Sequence, residues 1–307
     1  MRNIRGFNLL FVIGAATLTI RAILDSSFRN STLLYLLVPF AVSIAIHLLR
    51  RRPDPTEDHR SVTRQYGKHL LDSTIVMLAT SAFLFEGFVC VLFFMPIYYG
   101  LVTLGFIFSW LADRPRGDGG GTRAYILPAF VLLLSMEGLF DGTTVPRYRE
   151  ATHIAIVDGS IGELKANMAQ PIAFTAKRHW FLSVFPMPTR IEAGTLNAGD
   201  VHRLHFVYKR WFFANVHEGD MAIRIEEVGP DRIRTRITEN SSYLSHYMTI
   251  DGTEVRFREL GDGRTRVSLT VKYHRLLDPY WYFGPMQQLA AKQSAKYLID
   301  TIIARRA

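Results

Sequence analysis

The chain has 307 residues, enough for two folding units, and its 36 Lys and Arg against 27 Asp and Glu give a net charge of +9. Nucleic acid is a poor fit to that charge, because the basic residues of the first half border apolar runs and the others are spread over strand-like segments. A single cysteine, Cys90, excludes an intrachain disulfide framework and a cysteine-built metal site.

Charge is unevenly placed. Residues 1–144 hold 13 Lys/Arg and 10 Asp/Glu, gathered in short patches, whereas residues 145–307 hold 23 and 17 spread throughout. The first part reads as a transmembrane helical domain and the second as a soluble one. Apolar stretches cover residues 7–24, 32–49, 70–94, 97–112 and 124–140. The third and fourth run together without a charged loop, and Met95-Pro96 divides them, since proline ends or kinks a helix. That makes about five spans. A cleaved signal peptide is the rival reading of the first, but Arg21 stands where small cleavage-site residues belong.

Arg2 and Arg5 precede the first stretch, six basic residues fill the second connection, and Arg114, Arg116 and Arg123 fill the fourth. The positive-inside rule puts the amino terminus in the cytoplasm and, after five crossings, the soluble domain outside it. If the fifth stretch, with Pro128 and Glu137, lies in the interface instead, the soluble domain is cytoplasmic. Asp72, Glu86 and Glu137 are the acidic groups within or beside the spans, and none has a basic partner inside a span. The segment 113–122, with Gly119-Gly120-Gly121, lacks a phosphate-binding lysine and reads as a loop.

In the soluble part, Thr152, Ile154 and Ile156 alternate against His153 and Ala155. Ser160 and Glu163 then form a capping box for a short helix through Ala169. An aromatic segment follows, with Phe174, Trp180, Phe181 and Phe185. Next come about six strands, the first a weak one near 189–193, with hairpin turns at Gly229-Pro230-Asp231 and Gly261-Asp262-Gly263. Leu204, Phe206 and Tyr208 share a face with Met221, Ile223 and Ile225, with Ile233, Thr235 and Ile237, and with Val255 and Phe257. The opposite face carries Arg203, Arg224, Arg232, Arg234, Arg236, Arg256 and Arg258, interleaved with Glu226 and Glu254, and reads as a solvated sheet surface. Residues 265–274 form a strand, 277–285 an aromatic corner and 286–305 a long helix, with Ala290, Ala291, Ser294, Ala295, Leu298 and Ile302 on its apolar side.

That order, together with residues 150–169, the turn Gly229-Pro230-Asp231-Arg232, the segment 261–267 and Leu277-Asp278-Pro279-Tyr280-Trp281-Tyr282-Phe283-Gly284-Pro285, resembles the START-like superfamily, also called SRPBCC or polyketide cyclase/dehydrase and lipid-transport domains. The closing segment is similar to that of bacterial membrane proteins with such a domain at the carboxyl terminus. The resemblance covers residues 148–305 and implies a helix-grip fold: a curved antiparallel sheet around a long helix, with an apolar cavity between. It implies binding of lipids or other hydrophobic molecules and, in some members, cyclisation or dehydration. The chain departs from the common pattern at Val157-Asp158-Gly159-Ser160, where many members carry a proline-containing turn.

The expected ligand-lining residues are Trp180, Phe181, Leu204, Phe206, Tyr208, Tyr243, Tyr247, Trp281, Tyr282, Phe283 and Tyr297, large aromatics and aliphatics suited to an apolar ligand. His202 and His205 are three apart on a strand and face opposite ways, so they do not share a metal. His202 and His246 are the acid/base candidates, and no G-x-S-x-G, H-E-x-x-H or dinucleotide fingerprint accompanies them. The sequence therefore points to a multi-pass protein of the bacterial plasma membrane. It binds or transfers a lipid or other hydrophobic molecule without a cofactor. A cyclase-like enzyme and an interaction module with a filled pocket are the alternatives.

Overall fold

Alternation of apolar and polar residues builds β8 (Arg264–Arg275), the strand on which the second unit is centred. Thr265, Val267, Leu269, Val271 and Tyr273 are buried, while Arg266 and His274 between them are exposed. The computed structural model describes residues 36–50, 62–83, 88–112, 130–131, 133–137, 142, 144–174, 178–192, 194–211 and 214–304. The chain divides into two compact units, Met1–Val145 and Pro146–Ala307.

The second unit holds β1 (Tyr148–Asp158), α1 (Ile161–Met168), β2 (Ile172–Ala173), β3 (Pro188–Glu192), β4 (Val201–Trp211), β5 (Ala214–Val228), β6 (Arg232–Asn240), β7 (Met248–Glu259), β8 and α2 (Tyr280–Leu298), the last continued by a π-helical turn at Ile299–Ile303. All eight strands form one antiparallel sheet in the order β1-β8-β7-β6-β5-β4-β3-β2. Register shifts in the β3–β4, β5–β6 and β7–β8 ladders bend and twist the strands, which curls the sheet toward α2. Gly252 permits one such bend, since a Cβ there would strike the Thr235 carbonyl. The result is a helix-grip arrangement. The Ser160–Glu163 capping box forms and starts α1, and Gly261 and Gly263 take positive φ in the β7–β8 turn.

Three details depart from the sequence reading. The helix begins at Tyr280, so the aromatic corner is its first turns and Pro285 lies inside it. Only one intrahelical hydrogen bond is lost there, near an end where several donors are unpaired anyway. In β1 the face toward the core carries Ala151, His153, Ala155 and Val157, leaving Ile154 and Ile156 49% and 60% exposed. Helix α2 packs directly on β1 and β8; Ala290, Ala291 and Ala295 are among its buried residues, and alanines on both sides allow that approach. Finally, a two-residue strand, β2, adds itself to the sheet's far edge.

The outer face is an ion-pair network. Glu254 lies within 2.6 Å of Arg256 and 3.0 Å of Lys272, Arg232 contacts Glu227 at 2.6 Å, and Arg236 pairs with Glu226. Burial acts to raise the Glu254 carboxyl, but hydrogen bonds from Arg256 and Lys272 outweigh it and hold the group below its usual range.

The first unit contains α3 (Val38–Arg50), α4 (Val62–Phe83) and α5 (Phe88–Ala112). Buried polar groups join them: Ser43 Oγ lies 2.7 Å from His69 Nε2 and donates to the Val102 carbonyl, and Tyr98 donates to the Ser73 carbonyl at 2.6 Å. Gly105 makes room for Ser43. Val62, Thr63, Tyr66, Thr103, Phe106 and Ile107 line an open groove.

Pro96 does not separate two helices. α5 runs through it as one helix, so the lost backbone hydrogen bond and the crowding of the carbonyl four residues earlier do not end it. Among the described residues one helix, Val91–Leu111, is long and apolar enough to cross a membrane, and Val38–Leu48 is apolar but shorter. The described residues thus leave the count of five spans unsupported. The first stretch, Glu86, the segment 113–122 and most of the fifth stretch lie outside them. Asp72 and Glu137 are partly exposed.

Candidate functional site

The concave face of the sheet is covered in two different ways. On the β1–β8 side, α2 approaches closely and a tight aliphatic cluster fills the interval, including Ile225, Ile233, Val255, Val267, Ala295 and Ile299. On the β3–β5 side the interval is closed by large side chains: Phe174, Leu182 and Met187 from the irregular segment after β2 meet Leu204, Phe206 and Met221 from the strands and Tyr297 from α2. The Tyr297 ring lies 6.0 Å from that of Phe174 and 5.8 Å from the Arg178 guanidinium.

A second aromatic group stands beside this cluster on the same face. Tyr208 of β4 stacks on Tyr243 at 4.9 Å, His246 stacks on Tyr243 at 4.7 Å, and the rings of His217 and Tyr247 meet it at 5.5 and 5.7 Å. From α2, Gln287 Nε2 donates to the Tyr247 carbonyl at 2.9 Å, bringing the amino-terminal half of the helix to this group. Phe283, one turn earlier, is buried and meets Tyr282 edge to face.

Of the residues expected to line a ligand site, Phe181, Leu204, Phe206, Tyr208, Tyr243, Phe283 and Tyr297 are buried and Tyr247 and Tyr282 half-buried. Trp180 and Trp281 are 74% and 52% exposed and form no part of the buried lining. Trp180 sits in the turn before a 3₁₀ helix, and Trp281 on the solvent side of the first turn of α2. Phe181 packs on Phe185 at 5.2 Å, within its own segment.

The histidines are held by local bonds. His202 is buried, and its Nε2 donates to the Thr195 carbonyl at 2.7 Å, which commits the ring to a neighbouring loop. His246 is exposed and bonds the Tyr243 carbonyl. His205, on the opposite face to His202, pairs with Asp220 at 2.8 Å. Among the described residues no group of three or more His, Cys, Asp and Glu is arranged to hold a metal.

Two features escaped the sequence reading. Asp278 is fully buried beneath the β8–α2 corner between Arg275, also buried, and Arg147, whose Nη2 lies 2.8 Å away. The Arg149 and Arg275 guanidiniums lie 4.5 and 5.2 Å from the Tyr280 ring centroid. Gln287 was legible in principle. It falls four residues from both Phe283 and Ala291, a polar residue on an apolar stripe.

No family model matches the chain, and no curated protein matches it. Among solved structures, a START superfamily protein from Mycobacterium smegmatis is 13% identical, with 51% of this chain and 95% of that one covered at a TM-score of 0.35. Norcoclaurine synthase from Thalictrum flavum, in complex with dopamine and hydroxybenzaldehyde, is 12% identical over 50% of this chain and 84% of its own, with a TM-score of 0.33. An AHSA1-like protein from Aeromonas hydrophila is 15% identical over 52% and 98%, with a TM-score of 0.31.

Proposed function

We propose that the unit Pro146–Ala307 binds a hydrophobic small molecule or lipid between the β3–β5 face of its sheet and α2, and that the helical unit holds it at a bilayer. The observation that carries this reading is the unequal covering of the concave face. Where α2 lies close, small residues and aliphatics close the core; where the sheet curls away, closure depends on Phe174, Leu182 and Met187 from an irregular segment and on Tyr297. Side chains held outside the strand ladders, such as those of Leu182 and Met187, yield more readily than strand residues, and the surface beneath them is aromatic and aliphatic. An apolar ligand there gains about 25 cal/mol for each Å² it removes from water, which is the affinity such a lining supplies. Holding the site beside a membrane shortens the passage of a lipid through water, which supports anchoring through Val91–Leu111 and its neighbours.

The test is photolabelling of the full chain in nonionic detergent with an alkyl diazirine whose head group is a methyl ether. Labelled peptides that contain Leu204, Phe206, Phe283 or Tyr297, competed by excess dodecyl methyl ether, are expected. Labelling confined to the helical unit would mean that the side chains simply fill a core, and the binding reading would fall.

A further inference from the structure

Resting on that reading, we infer that Gln287 selects ligands that carry an uncharged hydroxyl group. Gln287 is 6% exposed on the buried stripe of α2. Its Nε2 is fixed by the bond to the Tyr247 carbonyl, which also accepts from the Leu276 amide at 3.2 Å. That orientation leaves Oε1 buried and without a hydrogen-bond partner among the described residues. No protein group among the described residues donates to this buried acceptor, so its donor comes from outside the chain.

A ligand supplies such a donor, and the surroundings say which kind. Tyr247, whose carbonyl holds the carboxamide, has its ring against Tyr243, which stacks on Tyr208, so the residue that fixes Gln287 is itself part of an aromatic wall. A neutral amide oxygen offers no countercharge to desolvate an ammonium against, and it repels a carboxylate. A hydroxyl donates one hydrogen bond to Oε1 and carries no charge into the apolar site, while its hydrocarbon body lies along the tyrosines and Phe283. The ligand class is therefore a long-chain or polycyclic alcohol, preferred over an acid, an ether or a hydrocarbon of the same shape.

Competition against the ether-headed diazirine probe tests this in the full chain. Dodecanol is expected to displace label from the peptides of β4 and α2 at about one tenth the concentration that dodecyl methyl ether requires, the worth of one hydrogen bond to a buried neutral acceptor. In Gln287→Leu the two competitors become equal while labelling persists. Gln287→Met repeats the test with an unbranched side chain of similar length. Equal potency of alcohol and ether in the unaltered protein overturns the inference and leaves the binding reading intact, as does a preference that survives both substitutions. Absence of label from β4 and α2 in the unaltered protein overturns both.

Discussion

Neutralising Asp278 tests what holds the β8–α2 corner. Its carboxylate is fully buried, and it is the ion-pair partner of Arg275, whose side chain is 1% exposed, and of Arg147, 36% exposed. Arg275 also donates to the Leu277 carbonyl at 3.0 Å, so the guanidinium keeps one neutral acceptor if the charge is lost. Removing one member of a buried pair costs about 3–5 kcal/mol, because the other is left charged in a poorly solvated site. Asp278→Asn preserves one oxygen and Arg147 reaches water, which places the expected cost at the lower end, about 3 kcal/mol. Native-state amide exchange on the full chain reads this locally. The most protected amides of β8 should exchange roughly a hundredfold faster in the variant. Replacing the pair together, as Arg275→Met with Asp278→Leu, should cost less than Asp278→Asn alone, since no uncompensated charge remains. Asp262→Asn, which breaks the exposed pair with Arg264, should leave exchange unchanged. Unaltered β8 protection in Asp278→Asn would refute the view that this buried charge anchors the corner.

Three other outcomes are expected. Gly252→Ala should destabilise the unit by about 2 kcal/mol or more, seen as faster exchange in β6 and β7, because the new Cβ meets the backbone carbonyl of Thr235 and not a side chain that can turn away. The Glu254 carboxyl is held below its usual 4.5, so its contribution is present above pH 4.5 and disappears as pH falls through the lower folded value. Glu254→Gln should therefore cost about 1–2 kcal/mol at neutral pH, and its unfolding midpoint should converge on that of the unaltered protein in acid. His153 is held below its usual 6.5 by burial first and by Lys296 and Lys292 beside it, with Asp300 opposing. The folded unit favours the neutral ring, so stability from this site is present above pH 6.5 and is lost as pH falls below it; a midpoint–pH profile of His153→Leu should be flatter there.

Period-two patterns in β4 to β8 were readable because one face of each strand is buried and the other wet, and the structure places Leu204, Phe206, Tyr208, Val255 and Val267 as the alternation requires. β1 was harder. Two of its four inward residues are alanines, which lets α2 approach and leaves Ile154 and Ile156 outside, and pattern alone does not report how close a helix comes. Tryptophan misled for a related reason. Trp180 and Trp281 are apolar enough for a lining, but their exposure is set by a turn and by the first helical turn, whose orientation composition does not fix. Arg275 and Asp278 are three residues apart, but Arg147, the third member of the group, lies more than a hundred positions away and is outside any local window. Pro96 reads as a break because proline ends or kinks a helix, yet α5 continues through it, and composition alone does not separate a proline that stops a helix from one inside it.

The sheet order makes the first strand of the second unit the neighbour of the last, with Tyr148 opposite His274 and Asp158 opposite Arg264. β1 therefore leaves the ribosome early and waits for its partner until nearly the whole unit has been made. The consecutive hairpins β4 to β8 are free to form as they emerge, whereas closure of the grip is a late, long-range event in which β8 must find β1 and α2 must fold across both. Until then β1 presents Ile154 and Ile156 along an unpaired strand, a template for mispairing with another chain. Slow translation or a truncation upstream of β8 should accordingly yield aggregation rather than a smaller folded core.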